Sequence, residues 1–421
     1  MRRHKAFSNA CSHYEEFMLV TVLGMEVQIC LGVAGVVSAL LLAIVNGANN
    51  AANIIGTAVG SRALGLRHAL TLAAVFDLLG SLTFGYFITK TFMSGIVNVG
   101  LYGRYEVTLI ALISLLSATV WVIVATRLKI PISIIQAVIG GLLGAGLISR
   151  GLEAINWLII AIIAISWFVV PAASTGIAYV TTKLVVKAKK YKELFGAALI
   201  STFLITALPI FLLASSLFNI VLSVTYSVVI GVLSTVMFYA YFVMRVRNLD
   251  VRRKRNLLTK YLATYAVVTS AFIHGAQNVG TSAGPLLLML TSLSPELGGL
   301  PLIKFMVIAL CALGIALGIG LWGYSVVGTI GEQITSLTRL TAFTAQLSMF
   351  ITLIILSRLG IPTSTVLAIV GGVTGVGLAK GIKAINIRTL ARLMAMWIMT
   401  IPIVALISIA LYLVMYPYLL P

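Results

Sequence analysis

The clearest pattern in the chain is a series of long apolar stretches separated by short polar segments. Uncharged runs such as 155–182 and 219–244 exceed the roughly 20 residues that a membrane-spanning helix needs. Strands of a membrane barrel would instead show short segments of alternating polarity. The pattern predicts an all-α polytopic membrane protein with about twelve transmembrane helices. We place them at 25–60, 68–90, 107–126, 131–149, 155–182, 197–215, 219–244, 261–291, 301–323, 340–357, 361–379 and 389–417.

The basic residues between these stretches predict the orientation of the chain. With both termini outside and twelve crossings, the inside loops, 127–130 among them, carry 20 Lys and Arg residues and the outside segments carry 8. Cytoplasmic loops are enriched in Lys and Arg, so this arrangement obeys the positive-inside rule. The basic N-terminal tail is the segment that favours the opposite side.

Two polar motifs occur twice in the chain. Asn46-Gly-Ala-Asn-Asn50 returns in the second half as His274-Gly-Ala-Gln-Asn278, and Leu128-Lys-Ile-Pro-Ile-Ser133 returns as Leu359-Gly-Ile-Pro-Thr-Ser364. The interval between the two copies is nearly the same for both motifs. An odd number of crossings separates the copies, so the repeats are inverted in the membrane. Inverted repeats with broken helices at matching positions are typical of alternating-access transporters.

The repeat divides the chain into four parts. These are an N-terminal tail (1–24), a first inverted repeat (25–182), two linking helices with basic cytoplasmic loops (183–260) and a second inverted repeat (261–421). A Gly-Gly step follows each Pro-Ser motif, at Gly140-Gly141 and Gly371-Gly372. We expect the first and eighth stretches to be interrupted at their polar motifs and the short stretches 131–149 and 361–379 to be half-helices.

Carboxamides and other polar side chains gather in the middle of the two interrupted stretches. A carboxamide in hydrocarbon costs free energy unless it is hydrogen-bonded. Unwound backbone beside these groups would offer N–H and C=O groups to an oxyanion, a cation or both. Packing through small residues and interhelical hydrogen bonds is the alternative explanation. The first cluster holds Asn46, Asn49, Asn50 and Asn53, and the second holds His274, Gln277, Asn278, Thr281 and Ser282.

The two Pro-Ser segments predict a second kind of polar site. Pro131-Ile-Ser133 and Pro362-Thr363-Ser364-Thr365 read as two half-helix N-termini, since proline starts a helix well. Helix N-termini present unpaired N–H groups and the positive end of the helix dipole, which attract an anion. Inverted repeats would bring the two starts together near the midplane. Simple helix starts after tight loops are the alternative.

Asp77 is the one carboxylate that lies deep within a predicted span. An intramembrane acid is a candidate proton carrier or cation ligand, although a local hydrogen-bond partner also accounts for it. His274 is a second candidate for proton exchange, although a lone His beside a Gly-Ala step is as often a hydrogen-bond donor to backbone. Gln136 and Gln346 are further intramembrane polar side chains.

Composition agrees with a membrane protein, because 60% of the 421 residues are apolar and 9% are charged. Soluble chains run near 45–50% apolar and about 25% charged. The net charge of +19 comes from short basic clusters between apolar runs, which predicts membrane anchoring and no nucleic-acid partner. The cysteines are Cys11, Cys30 and Cys311, which form no metal-ligand spacing. We expect no metal, no cofactor and no enzymatic activity, since no catalytic set converges within the spans.

With these motifs the chain resembles the inorganic phosphate transporter (PiT) family, which includes phosphate and sulfate permeases. Gly47-Ala-Asn-Asn-Ala-Ala-Asn53 follows the family signature Gly-Ala-Asn-Asp-x-Ala-Asn except at one place. His274–Thr281 is similar to the second signature, and Pro131–Gln136 and Pro362–Leu367 stand where the family carries Pro-Val-Ser-Thr-Thr-His. The stretch Trp322–Gly331 is similar to the family as well.

The resemblance implies that phosphate and its coupling cation sit at the repeat interface. Carried over, the substrate-binding residues are Asn50, Ser133, Asn278, Thr363, Ser364 and Thr365. The supporting or ion-coupling residues are Asn46, Asn49, Asn53, Asp77, Gln136, His274, Gln277, Thr281 and Gln346. Both signature aspartates are Asn in this chain, Gln346 replaces a family glutamate, and Asp77 stands where the family usually has Glu. Since a neutral amide supplies no charge to offset a cation, we expect coupling to H+ rather than Na+.

The expected function is symport of inorganic phosphate across the cell membrane by alternating access. Fewer carboxylates lessen repulsion toward a multiply charged oxyanion, which favours sulfate as the alternative substrate. An anion channel and a non-transporting receptor are more distant alternatives, and no repeated carbonyl filter or charged ring supports a channel. The expected partners are the oxyanion, H+ or Na+, the lipid bilayer and a second copy of the chain in a homodimer.

Overall fold

The computed structural model describes residues 2–128, 130–187, 190–325 and 335–419, with side chains from residue 26 onward. Within these ranges, ten helices are long and apolar enough to cross a membrane, and α13 is a shorter apolar helix. The helices are α1 (Arg2–Gly60), α2 (Leu66–Ser94), α3 (Arg104–Arg127), α4 (Ile134–Arg150), α5 (Trp157–Lys187), α6 (Tyr191–Ala214), α7 (Ile220–Val246), α8 (Val251–Asn278), α9 (Gly280–Leu293), α10 (Pro295–Gly299), α11 (Pro301–Trp322), α12 (Arg339–Arg358), α13 (Thr365–Lys380) and α14 (Ile387–Leu419). The all-α polytopic membrane fold is therefore confirmed.

Each of the twelve predicted stretches coincides with a helix, and the eighth corresponds to α8 together with α9. The part of Trp322–Gly331 from residue 326 onward lies outside the described residues. So do residue 129 of the 127–130 loop and residues 188–189 of the basic loop after α5.

The first expected interruption is absent, because α1 runs unbroken from Arg2 to Gly60. Three amides of this helix, those of Asn46, Asn50 and Asn53, bond to one another along the unbroken helix. Asn50 Nδ2 donates to Asn46 Oδ1 at 2.8 Å, and Asn53 Nδ2 donates to Asn50 Oδ1 at 2.5 Å. The second interruption is present at Val279, which separates α8 from α9.

The helix pairs α3–α4 and α12–α13 form two hairpins. At the open end of the first, Arg150 at the end of α4 pairs with Glu106 at the start of α3 at 3.1 Å. At the open end of the second, Lys380 at the end of α13 donates to the carbonyl of Ser336, just before α12. The half-helices predicted at 131–149 and 361–379 are the returning arms, α4 and α13.

The two hairpins open on opposite faces of the membrane. Arg339, at the start of α12, donates to the carbonyl of Arg62 at 3.1 Å, just before α2 begins. Asn98, just after α2 ends, donates to the carbonyl of Glu153 at 2.6 Å, beside the open end of the first hairpin. Because α2 crosses the membrane between Arg62 and Asn98, the repeats are inverted as predicted.

The turn of the first hairpin corrects one expectation about the loops. We placed 127–130 in an inside loop, but the Ile130 carbonyl accepts a hydrogen bond from Asn49 of α1 at 3.2 Å. Asn49 lies about 16 Å along the helix axis from Gly60, at about 1.5 Å per residue. The turn therefore lies against the middle of a span, because its polar groups find partners there.

The repeats exchange partners across their boundary, since α13 packs against α5 and α14 packs against α4. One glycine of each Gly-Gly step makes this approach possible. A Cβ at Gly371 would lie 2.5 Å from the carbonyl oxygen of Pro171 in α5. A Cβ at Gly140 would lie 2.8 Å from the carbonyl oxygen of Ile401 in α14. Close contact through small residues is the usual way for helices to pack in a membrane.

The other glycine of each step faces its own hairpin partner. A Cβ at Gly141 would lie 2.8 Å from Ser114 Cα in α3, and one at Gly372 would lie 2.5 Å from the Ala345 carbonyl oxygen in α12. Ser114 and Ala345 occupy corresponding positions of the two repeats, since they are separated by the same interval as the Pro-Ser motifs. The Gly-Gly steps therefore hold each half-helix between two neighbours.

We predict that Gly371→Ala destabilises the protein by about 1–3 kcal/mol, because the new methyl group meets backbone that must move. Gly320→Ala is the matched control, since a Cβ there meets nothing within 4 Å. Thermal unfolding of the purified protein in detergent measures the effect. A midpoint lowered by several degrees for the first variant alone is expected, and equal midpoints would contradict the packing described.

Candidate functional site

The turn of the first hairpin is held by the side chain of Asn49. Asn49 Nδ2 donates to Thr126 Oγ1 at 3.0 Å and to the Ile130 carbonyl at 3.2 Å. Asn49 Oδ1 accepts from the Ile132 N–H at 3.3 Å. One carboxamide thus satisfies a hydroxyl, a carbonyl and an amide at the turn that leads into Ser133.

Gln277 holds the turn of the second hairpin in the same way. Gln277 Nε2 donates to Ser357 Oγ at 3.0 Å and to the Leu353 carbonyl at 3.5 Å. Gln277 Oε1 accepts from the Thr363 N–H at 3.1 Å. Asn49 and Gln277 occupy corresponding positions of the repeated motif, so each repeat carries the same clamp.

The hairpin turns end on serine caps. Ser133 Oγ accepts from the Gln136 N–H, and Ser364 Oγ accepts from the Leu367 N–H, both at 3.3 Å. Such caps stabilise a helix start. A hydroxyl that accepts in a cap retains its own O–H for donation. The first N–H groups of α4 and α13 have no partner within the helix, so each start offers several donors.

A chain of carboxamides connects the two repeats. Asn53 donates to Asn50, Asn50 donates to Asn46, and Asn46 Nδ2 donates to Thr281 Oγ1 at 3.2 Å. Asn46 Nδ2 also lies 3.5 Å from the carbonyl oxygen of Asn278. The two signature motifs therefore contact each other directly.

Asn278 extends this chain to the second half-helix. Its Nδ2 donates to the His274 carbonyl at 3.1 Å and to Thr365 Oγ1 at 3.5 Å. Thr365 accepts in this bond and keeps its O–H, as Ser133 and Ser364 do. Asn50 uses one N–H of its carboxamide for Asn46, which leaves the other available.

Asp77 and His274 form a buried pair beside the carboxamide chain. Asp77 Oδ2 lies 2.5 Å from His274 Nδ1, and both side chains are fully buried. Their helices approach closely at Gly275, where a Cβ would overlap the Asp77 carbonyl oxygen. Asp77 Oδ1 and His274 Nε2 have no hydrogen-bond partner among the described residues.

Gln136 and Gln346 are not drawn into this network. Gln346 Nε2 donates to the Ile54 carbonyl at 2.7 Å, while the side-chain oxygens of both glutamines have no partner among the described residues. A cavity of about 1150 Å³ is lined by Gln136 and mainly by apolar side chains such as Trp167 and Trp397. None of Ser133, Ser364 and Thr365 lines this cavity.

Every predicted site residue is at most 3% exposed. The hydrogen bonds bring together Asn46, Asn50, Asn53, Asn278, Thr281 and Thr365, and the two clamps connect Asn49 and Gln277 to the turns beside Ser133, Thr363 and Ser364. No described Lys or Arg side chain is fully buried beside them. The arrangement can bind an anion through neutral donors and helix N-termini.

Thr126 and Ser357, the hydroxyls that complete the two clamps, were not predicted from the sequence. A signal for them was present, since each precedes a cap serine by the same interval in its own repeat. Ser166, whose Oγ lies 3.1 Å from Thr363 Oγ1, was not predicted either.

Comparisons with known proteins show what this chain is similar to. A model described as the phosphate transporter family matches residues 46–408. A Pyrococcus abyssi protein described as "Putative phosphate permease" is 31% identical over 393 residues, which cover 86% of this chain and 92% of that protein. An Arabidopsis thaliana protein, inorganic phosphate transporter 2-1, chloroplastic, is 29% identical over 410 residues, or 86% of this chain and 68% of that protein.

A solved structure has the same fold. The protein is titled the sodium-dependent phosphate transporter, and the two chains superimpose with a TM-score of 0.87 at 29% identity. The match covers 92% of this chain and 99% of that chain.

We predict that Gln277→Ala loosens the second hairpin turn and leaves the first unchanged, while Asn49→Ala does the reverse. Loss of a buried hydrogen-bonding partner costs about 1–3 kcal/mol, so local amide exchange should rise about tenfold or more. Hydrogen–deuterium exchange of peptides covering 130–135 and 361–366 measures both turns, and each variant is the control for the other. Uniform or absent changes would show that the carboxamides do not hold the turns.

Proposed function

This chain belongs to the phosphate transporter family, and we propose that it is a permease that carries inorganic phosphate across the cell membrane by alternating access. The observation that carries the proposal is the pair of serine-capped half-helix starts, at Ser133 and Ser364, on inverted hairpins. Phosphate would be held by the hydroxyls of Ser133, Ser364 and Thr365, by the first N–H groups of α4 and α13, and by the free amide N–H of Asn50.

The inverted hairpins support alternating access. The α3–α4 hairpin opens toward one face and the α12–α13 hairpin toward the other. A movement of one hairpin would therefore uncover the site from one side while the other kept it closed. The clamps at Asn49 and Gln277 would make each turn move with the helix that holds it.

Sulfate is the second candidate substrate, and one observation favours it. Asn50 and Asn278 stand where family signatures carry aspartate, which removes two acceptors that would bind the protons of monobasic phosphate. Sulfate needs only donors. Phosphate is the first candidate because the family model and the similar proteins carry that name.

The coupling ion that we favour is H+, with Asp77 and His274 as the carrier. Asp77 is the one fully buried carboxylate among the described residues, and its Oδ2 lies 2.5 Å from Nδ1 of His274, which is also fully buried. His274 belongs to the second signature motif, and its carbonyl accepts from Asn278, so a change in the pair would reach the site. Sodium is the alternative, supported by the name of the similar solved structure.

We predict that Ser364→Ala and Thr365→Ala each raise the apparent KM for phosphate about tenfold or more, because a buried donor to a charged group is lost. Thr374→Ala is the matched control on the same helix, since Thr374 donates its hydroxyl to the Val370 carbonyl. Radiolabelled phosphate uptake into proteoliposomes, with and without excess sulfate, gives the KM and the substrate preference.

Unchanged KM values in both Ser364 and Thr365 variants would place the anion elsewhere. Counterflow by external phosphate is expected of a carrier, and its absence together with large unitary conductance would favour a channel. Complete inhibition by equimolar sulfate, with faster sulfate uptake, would reverse the order of the two substrates.

For the coupling ion we predict that Asp77→Asn flattens the pH dependence of uptake, because the variant has no carboxyl group to exchange a proton. The wild-type protein should take up phosphate faster with an inward proton gradient and show the same rate in sodium-free and sodium-containing buffer. Proteoliposomes with imposed gradients measure both. A rate that requires sodium and ignores the proton gradient would establish sodium coupling instead.

A further inference from the structure

A second cavity lies apart from the half-helix starts, at the face that carries the loop before α2. Its volume is about 970 Å³, and it is enclosed by the start of α2, the end of α7 and the first part of α8. Leu66 is the first residue of one candidate span, and Arg245 lies in the last turn of another. The cavity is therefore at the depth of lipid headgroups, where a span meets water.

Basic side chains line this cavity without acidic partners. Arg67, His68, Arg245 and Lys260 belong to its wall and are exposed. Among the residues that the structure describes, none of these four forms an ion pair with a carboxylate. The charges of Arg67, Arg245 and Lys260 are uncompensated, and a partner with negative charge would neutralise them.

Two tyrosines add hydrogen-bonding capacity at the same place. The hydroxyls of Tyr241 and Tyr261 lie 2.9 Å apart, so one donates to the other. The hydroxyl that accepts keeps its own proton and can donate it to a ligand. Donors and cations therefore face the cavity together.

The remaining wall is apolar, with Leu64, Leu66, Leu72 and Leu257 among the lining residues. A small inorganic anion gains nothing from such a wall, whereas a phospholipid presents an acyl chain beside its phosphate. Basic pockets between transmembrane helices on the cytoplasmic side are a known way to hold anionic headgroups. The loops at this face are also those that carry the excess of Lys and Arg, which predicts the cytoplasmic side.

We infer that this cavity binds the headgroup of an anionic phospholipid of the cytoplasmic leaflet. The phosphodiester lies against Arg67, Arg245 and Lys260, a tyrosine hydroxyl donates to it, and the glycerol and upper acyl chain follow the leucines. The inference is independent of the transported substrate. A lipid bound here would contact the start of α2, the end of α7 and the first part of α8 at one face of the membrane.

The test uses the full purified chain in detergent, titrated with phosphatidylglycerol or with phosphatidylcholine of the same acyl chains, and read by native mass spectrometry. Arg245→Gln combined with Lys260→Gln removes two cavity charges. Arg247→Gln combined with Arg252→Gln is the matched control, because it removes two exposed charges near the same face outside the cavity.

Each basic residue near the surface strengthens binding of an anionic lipid about fivefold, so the cavity variant should bind phosphatidylglycerol about 30-fold more weakly. The control variant should lose much less affinity, because Arg247 and Arg252 do not line the cavity and cannot contact a headgroup bound in it. The single variant Lys260→Gln should give about a fivefold loss if the double variant does not stay folded.

Two results would overturn the inference. One is equal retention of phosphatidylglycerol by the cavity and control variants, or equal retention of phosphatidylcholine and phosphatidylglycerol by the wild-type protein. The other is that millimolar inorganic phosphate displaces phosphatidylglycerol from the wild-type protein. That result would make the cavity a site for free phosphate.

Discussion

The constraint that shapes this structure is that its buried polar groups must hydrogen-bond to one another, because no water is available to them inside the membrane. A hairpin turn in the middle of a membrane exposes N–H and C=O groups, and each unpaired group costs free energy of several kcal/mol. Asn49 and Gln277 remove that cost, because each side chain hydrogen-bonds to a backbone N–H, a backbone carbonyl and a hydroxyl of its turn. Only with both turns satisfied can two helix starts remain inside the protein.

The same pairing of polar groups supports the anion site that we propose. The hydroxyls of Ser133, Ser364 and Thr365 each accept a bond and keep their own protons for donation. Helix N-termini add positive potential without a buried cation. A multiply charged oxyanion can therefore be held by neutral groups, and no buried Lys or Arg has to be neutralised when the site is empty.

The sequence predicted the twelve apolar stretches and the inverted repeat, and it supplied the site residues that we propose, because hydropathy, proline position and motif spacing are local signals. It did not predict that α1 would stay unbroken, since amide-to-amide bonds such as Asn50 to Asn46 depend on rotamers rather than on composition. The sequence also did not predict that α13 packs against α5 and α14 against α4, across the boundary between the repeats. Gly140 and Gly371 indicated close packing, but a glycine in a sequence does not show which helix packs against it. Thr126 and Ser357 could have been found from the constant interval between the repeats alone.

The position of one oxyanion between the two serine-capped helix starts is open to direct observation. Arsenate has the charge and tetrahedral shape of phosphate and scatters X-rays anomalously, so diffraction from crystals grown with saturating arsenate locates it. We expect one anomalous peak within hydrogen-bonding distance of the hydroxyls of Ser133, Ser364 and Thr365. A peak in the apolar cavity beside Trp167 and Trp397, or no peak near either helix start at saturation, would show that the anion is not held there.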